Sequence, residues 1–245
     1  MKNSRKYLWG LVSYLILFPL CQSLYAADSF IKPYRTAYEA NYRFLLPFSG
    51  SATRELVQTE DGQWQLLHKV SSPMIKLEES SLFSWIDNQA KPISYHYRQS
   101  NLTKKREISL TFDWPNLQAI SAITDEPIQI DIKPNCFDQL NYQLQLRYDL
   151  QVLGKPNPYD IVDRKRLKQY RFELLGEELV ETPIGKLNTV KLKRLRKEGS
   201  PRETIIWLAK DWDFLLTKIH QKENGKSYEI VLSEGELAGK PITGL

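Results

Sequence analysis

Few residues in this 245-residue chain have types and spacing suited to chemistry, and they are scattered. Its three histidines are His68, His96 and His220, and no two stand at the HExxH spacing that sets a pair of imidazoles on one helical face for zinc. Cys136 is the one thiol beyond the amino-terminal apolar run. It reads as a small buried hydrophobe, a reactive nucleophile being the alternative. The chain has no Gly-x-Ser-x-Gly elbow, Walker loop or dinucleotide fingerprint. Acids pair at Glu78-Glu79, Asp125-Glu126, Glu177-Glu178 and Asp211/Asp213. Sugar hydrolysis needs two carboxyls about 5–10 Å apart across a cleft. Adjacent acids on a strand point to opposite faces, so the first three pairs fail that requirement unaided. Glu178, Asp211 and Asp213 remain the candidates for a polysaccharide hydrolase, although Asp211-Trp212-Asp213 fits a plain turn better. These residues imply neither a metal nor a cofactor and argue against an enzyme.

Residues suited to holding a molecule are more plentiful. The chain has 13 Tyr, 9 Phe and 6 Trp. Tyr38, Tyr42, Tyr95 and Tyr97 stand at strand spacing and are the candidate ligand contacts, lining the concave face of a curved sheet. Plain core packing is the competing account. Basic clusters lie at Lys104-Lys105-Arg106, at Arg164-Lys165-Arg166-Lys168 and from Lys191 to Lys197. In the last, Val190 and Leu192 face one way while Lys191 and Lys193 face the other. That is a half-buried strand with a wet outer face. Lys191, Lys193 and Lys197 are the candidate contacts for an envelope protein or an anionic membrane surface.

Strands must position these residues, because the polarity pattern is mostly period two. Tyr38, Ala40, Tyr42 and Phe44 alternate with Glu39, Asn41 and Arg43. Trp64, Leu66, His68 and Val70 share another face. Asp61-Gly62 between extended runs predicts a type I′ hairpin, and Asn224-Gly225 predicts a second. Strands are predicted at 92–99, 105–113, 117–123 and 128–132. In the last third they are predicted at 168–175, 187–197, 202–209, 214–222 and 227–234. The stretch from Leu140 to Val152 alternates like a strand but is rich in Leu, Gln and Arg, which form helices well. Asn135 or Asp138 can cap it and Gly154 can end it, so a helix is predicted over 138–152.

The first residues read as a leader. Lys2, Arg5 and Lys6 precede an uncharged apolar run from Tyr7 to Leu20, and small residues follow at Ala26-Ala27. That order predicts a secretory signal cut after Ala26, leaving a single β-rich domain over 27–245 in a bacterial periplasm. Lipidation of Cys21 is the alternative, and bulky Leu20 before it is unfavourable. The leader holds three of the 34 Lys and Arg and none of the 29 acids. The remaining 31 cations against 29 acids give about +2, so charge offers no case for nucleic acid.

Several segments resemble a bacterial envelope family known as domain of unknown function 3108. They are Tyr38-Glu39-Ala40, Phe112-Asp113-Trp114, Phe137-Asp138-Gln139-Leu140, Gly176-Glu177-Glu178, the run Thr182 to Leu187, and Trp207-Leu208-Ala209. The family's usual Pro after that Trp is replaced here by Leu215-Leu216. The resemblance spans about Tyr34 to Leu232 and implies a β-rich fold with a helix near residue 140. It implies no activity. The expected fold is a large twisted antiparallel sheet curling into an open barrel or half-barrel, with the helix packed against it. The expected partner is an apolar or amphiphilic envelope molecule, or an envelope protein.

Overall fold

The computed structural model describes residues 30–43, 48–101, 103–123 and 126–245. The expected leader with Cys21, together with Phe44 and Asp125, lies outside them.

The first half is a meander. It comprises β1 (Tyr34–Arg43), β2 (Phe48–Gln58), β3 (Trp64–Ser71), β4 (Ile75–Ile86), β5 (Gln89–Asn101), β6 (Lys105–Asp113), β7 (Gln118–Ser121) and β8 (Ile128–Asp131), each antiparallel to the next. A crossover follows: β9 (Cys136–Phe137), helix α1 (Tyr142–Leu153) and β10 (Tyr159–Asp163). The second meander is β11 (Arg166–Thr182), β12 (Gly185–Leu195), β13 (Arg202–Ala209), β14 (Leu215–Glu223), β15 (Lys226–Leu237) and β16 (Lys240–Pro241). The two halves join where β1 pairs with β15, from Tyr34 opposite Leu237 to Arg43 opposite Ser227. The result is one 16-stranded sheet with β8 and β9 at its ends.

The sheet curls without closing. β8 comes up against β11, and β9 against β5, although neither pair is hydrogen-bonded as a ladder. One expectation is corrected: the sheet is mixed, because β9 and β10 run parallel, Asp160 opposite Cys136. Parallel neighbours need a long crossover, and α1 supplies it.

Turn chemistry explains the hairpins. Asn224 and Gly225 both have positive φ, 49° and 76°, as a two-residue type I′ loop requires. Asp61-Gly62 departs from its type I′ expectation, since only Gly62 is positive there. The Gly62 N–H instead donates to Thr59 O at 3.0 Å, closing a longer loop. Strand β4 and the Asp87-Asn88 turn that follows it (φ 50° and 61°) were not among the predicted elements.

Helix α1 lies inside the curl. Asp138 prepares its start by accepting the Leu140 and Asn141 N–H groups at 2.7 and 2.8 Å, while Asn141 Oδ1 accepts the Asp138 N–H at 3.1 Å. This reciprocal pairing resembles a capping box. Gly154, at φ 68°, ends the helix through an N–H bond to Leu150 O at 3.1 Å. Gln145 ties α1 to the β4–β5 turn, accepting from Ala90 N and donating to Asn88 O, both at 3.3 Å. Arg147 Nε reaches Asp213 O at 2.9 Å, in the turn before β14. The helix is thus bonded to both meanders. Its Leu144, Leu146 and Leu150 are buried in the core, together with Phe137, Leu140, Tyr159 and Ile161.

Candidate functional site

The curl leaves an unfilled space of about 460 Å³ between β1–β5 and β11–β15, with α1 along one side. Its apolar lining is only half-buried at Val70, Ile75, Leu77, Ile206 and Ile219. Large apolar side chains that face inward and stay partly uncovered have no protein neighbour to complete their packing. Rings at Tyr42, Tyr97, Tyr142, Phe172 and Tyr228 add wide apolar faces, the four tyrosines with a polar tip. The volume falls in the range of small-molecule sites, about 300–1,000 Å³.

A polar row crosses one wall. Register places Thr36 opposite Arg54, Arg54 opposite His68, His68 opposite Glu79, and Glu79 opposite Tyr97. All five side chains share the inner face, because directly opposed residues point the same way. Arg54 is 7% exposed, and its Nη1 donates to Gln143 Oε1 on α1. His68 Nδ1 lies 3.2 Å from Thr53 O. Glu79 keeps some exposure to the cavity and accepts the Tyr95 hydroxyl at 2.8 Å. Burial raises the Glu79 carboxyl above the usual range, against the pull of Tyr95 and Arg54.

Burial, helped by the Arg54 charge, pushes the His68 pKa down to about 3, and the bond to Thr53 opposes this only partly. The imidazole is therefore neutral at physiological pH and too weak a base for proton abstraction there. Its effect on stability has a definite sign. Above about pH 6.5 it is neutral folded and unfolded, whereas on acidification the unfolded chain takes the proton first. Its stabilising contribution is lost as pH falls from about 6.5 towards 3. Replacing His68 with Gln removes the ionisation. Urea titrations are expected to show the wild type losing ground to His68→Gln by roughly 1 kcal/mol per pH unit across that window. A pH-independent difference would refute the assignment.

Family membership follows the same elements. Residues 37–232, from β1 to β15, match the family described as "Protein of unknown function (DUF3108)". The chain belongs to the DUF3108 family. Among curated proteins none matches it. A beta-barrel-like protein of domain of unknown function DUF1849 from Brucella abortus shares the fold. Its TM-score is 0.58 at 8% identity, over 84% of this chain and 98% of that one. A DUF1329 family protein from Desulfovibrio piger ATCC 29098 aligns over 84% of this chain and 85% of its own, at 12% identity and a TM-score of 0.23.

In this DUF3108 chain the four tyrosines singled out by spacing are not equivalent. Tyr38, Tyr42 and Tyr97 line the cavity. Tyr95 does not: it is fully buried behind the lining, bonded to Glu79. Tyr38 is only 1% exposed and spends its hydroxyl on Leu216 O at 3.1 Å, so it acts as wall. Sequence reasoning passed over Arg54, Arg194, Tyr142, Tyr170 and Phe172 as lining residues. Parity could have found two of them, since Arg54 shares its face with buried Ala52 and Leu56, and Arg194 with buried Leu192.

Lys191 and Lys193 stand on the outer face of β12, and Lys197 lies exposed beyond its end. Lys191 pairs with Glu178 at 2.8 Å and Lys193 with Glu203 at 3.0 Å. Lys197 has no carboxylate within 4 Å among the described residues. Glu178 also accepts the Trp207 Nε1–H at 3.2 Å, and Lys191 and Lys218 lie 5.2 and 5.3 Å from that ring. Asp213 pairs with Lys32 at 3.1 Å, and Asp211 sits in the 3-10 turn Lys210–Trp212. None of Glu178, Asp211 and Asp213 lines the cavity. Among the described residues no cluster of His, Cys, Asp or Glu could hold a metal ion. Cys136 is buried and its thiol is pushed up to about 12, chiefly by burial, which leaves it unreactive as a nucleophile at neutral pH.

Proposed function

We propose that this protein is a non-enzymatic carrier or holder of an apolar or amphiphilic envelope molecule, bound between its two meanders. The cavity carries the reading: its inward aliphatic and aromatic side chains are left incompletely packed. We further propose that residues 27–245 act as one domain, exported to the periplasm by a leader over residues 1–26. Among the described residues no helix is long and apolar enough to cross a membrane. The alternative, a module docking on an envelope protein or anionic surface through Lys191, Lys193 and Lys197, draws less support, because acids neutralise the first two.

Leu77 lies on the lining and is half-buried, so a larger side chain there can grow into the cavity without displacing core. Leu77→Trp is expected to weaken binding of an uncharged apolar fluorophore such as N-phenyl-1-naphthylamine at least 10-fold while leaving thermal unfolding within a few degrees. Lipid mass spectrometry of organic extracts from purified protein provides the parallel test. No probe binding by the wild type, with nothing extracted over repeated preparations, would overturn the reading.

A further inference from the structure

Arginine outnumbers acid on the cavity wall. Arg54, Arg147, Arg194 and Arg202 line it, against Glu79. His68 adds no charge there. Two of the arginines have a carboxylate or a backbone carbonyl as partner. Arg202 pairs with Glu223 at 2.5 Å. Arg147 donates through Nε to Asp213 O and lies 5.0 Å from the Tyr34 ring, although its Nη1 is buried without a partner.

Arg54 and Arg194 have neither among the described residues. Arg54 is more than nine-tenths buried. A guanidinium carries five N–H donors. Among the described residues Arg54 uses them for one bond, to Gln143 Oε1, and its Nε is buried without a partner. Arg194 stacks on the Tyr170 ring at 3.3 Å, and its Nε is also buried and unpartnered. Neither has a carboxylate within 4 Å among the described residues. A buried cation short of acceptors is costly, and an anionic group bound beside it would offset that cost.

The two sit on opposite meanders, Arg54 on β2 and Arg194 on β12, and Tyr142 of α1 lines the same cavity. Both act electrostatically on the Tyr142 hydroxyl, and the Tyr142 and Tyr170 rings meet edge to face at 5.4 Å. The same lining carries apolar side chains at Ile206, Leu208, Leu216, Ile219 and Ile230.

We propose that Arg54 and Arg194, with Tyr142, form an anion subsite inside the cavity, and that the molecule held there is an amphiphile with a carboxylate or phosphate head. Guanidinium forks match both groups, and each charge-assisted bond is stronger in a dry site than in water. This rests on the cavity being a binding site, so the test separates the two.

Calorimetric titration compares dodecanoate, dodecyl phosphate, dodecan-1-ol and inorganic phosphate on the full chain. The wild type is expected to bind the two charged amphiphiles 10- to 100-fold more tightly than the alcohol, and inorganic phosphate far more weakly than dodecyl phosphate. Arg54→Gln and Arg194→Gln should each erase most of that preference, affinity for the charged amphiphiles falling at least 5-fold further than affinity for dodecan-1-ol. Equal affinity for acid and alcohol in the wild type would overturn the anion subsite and leave the cavity reading standing. Binding of inorganic phosphate as tight as dodecyl phosphate would overturn the amphiphile. Failure of all four compounds and of the uncharged fluorophore would overturn the cavity reading itself. The comparison of compounds needs no variant, so a misfolded substitution leaves the proposal testable.

Discussion

Replacing Asp138 with Ala is expected to lower the unfolding free energy by about 3–5 kcal/mol, a large share of the roughly 5–15 kcal/mol that holds a domain folded. Asp138 is 0% exposed. It accepts the Ser81 hydroxyl at 2.5 Å and the Leu140 and Asn141 N–H groups. Alanine leaves three buried donors without an acceptor, each costing about 1–3 kcal/mol. The same carboxyl fastens α1 to β4, so its loss loosens the helix against the first meander.

Asn is the informative comparison. Its carbonyl can keep the backbone bonds, but it cannot ionise. Burial pushes the Asp138 pKa from 3.8 up to about 7, against the pull of its three donors and with a small push from Glu79. Between those values the folded state holds a proton that the unfolded chain releases. Stability from this group is therefore complete below about pH 4 and lost as pH rises through 7. The slope is opposite to that of His68, and the two partly cancel in the wild type near pH 5. Only a difference between variants isolates either one. Urea midpoints for Asp138→Asn and wild type should converge, or cross in favour of Asn, between pH 4 and pH 8. A difference that stays constant would rule out the raised carboxyl.

Tyr38→Ala is the second large effect, expected at about 3–5 kcal/mol, as for other buried aromatic truncations. Tyr38 stands where β1 joins β15, opposite Leu232, itself fully buried. Its hydroxyl reaches past β15 to Leu216 O on β14. The ring thus ties three strands of the seam between the meanders. Burial raises the phenol to about 12, so it stays protonated and donates throughout the accessible range. Tyr38→Phe should cost about 1 kcal/mol, the net value of one hydrogen bond. If Tyr38→Ala unfolds in urea like the wild type, the seam does not depend on this residue.

What the sequence disclosed follows from how local each signal is. The Asn224-Gly225 hairpin was legible because two adjacent residues set it. The helix near residue 140 was legible from residue type, with its period pointing the other way. That conflict has a physical origin: α1 buries Gln145, Arg147 and Asp149 as well as leucines, so no clean apolar stripe marks it. Strand β4 was missed for a related reason. Its inward positions include Glu79 and Ser81, which break the apolar alternation between Leu77 and Phe83. Ser81 clamps Asp138, and Glu79 belongs to the polar row. The departures from pattern thus mark the site and the helix anchor. The parallel β9–β10 contact, two residues long, offered nothing to read.

The pairing of β1 with β15 also dictates how the molecule is made. Delivery from the amino terminus presents residues 34–43 before residues 226–237. Until the last hairpin arrives, one flank of the earliest strand shows its backbone amides to any neighbouring polypeptide. Loop closure over nearly the whole chain is slow, and half-built sheets of this kind stick to one another. The architecture therefore calls for a custodian during biogenesis, or for synthesis sparse enough that nascent copies seldom meet.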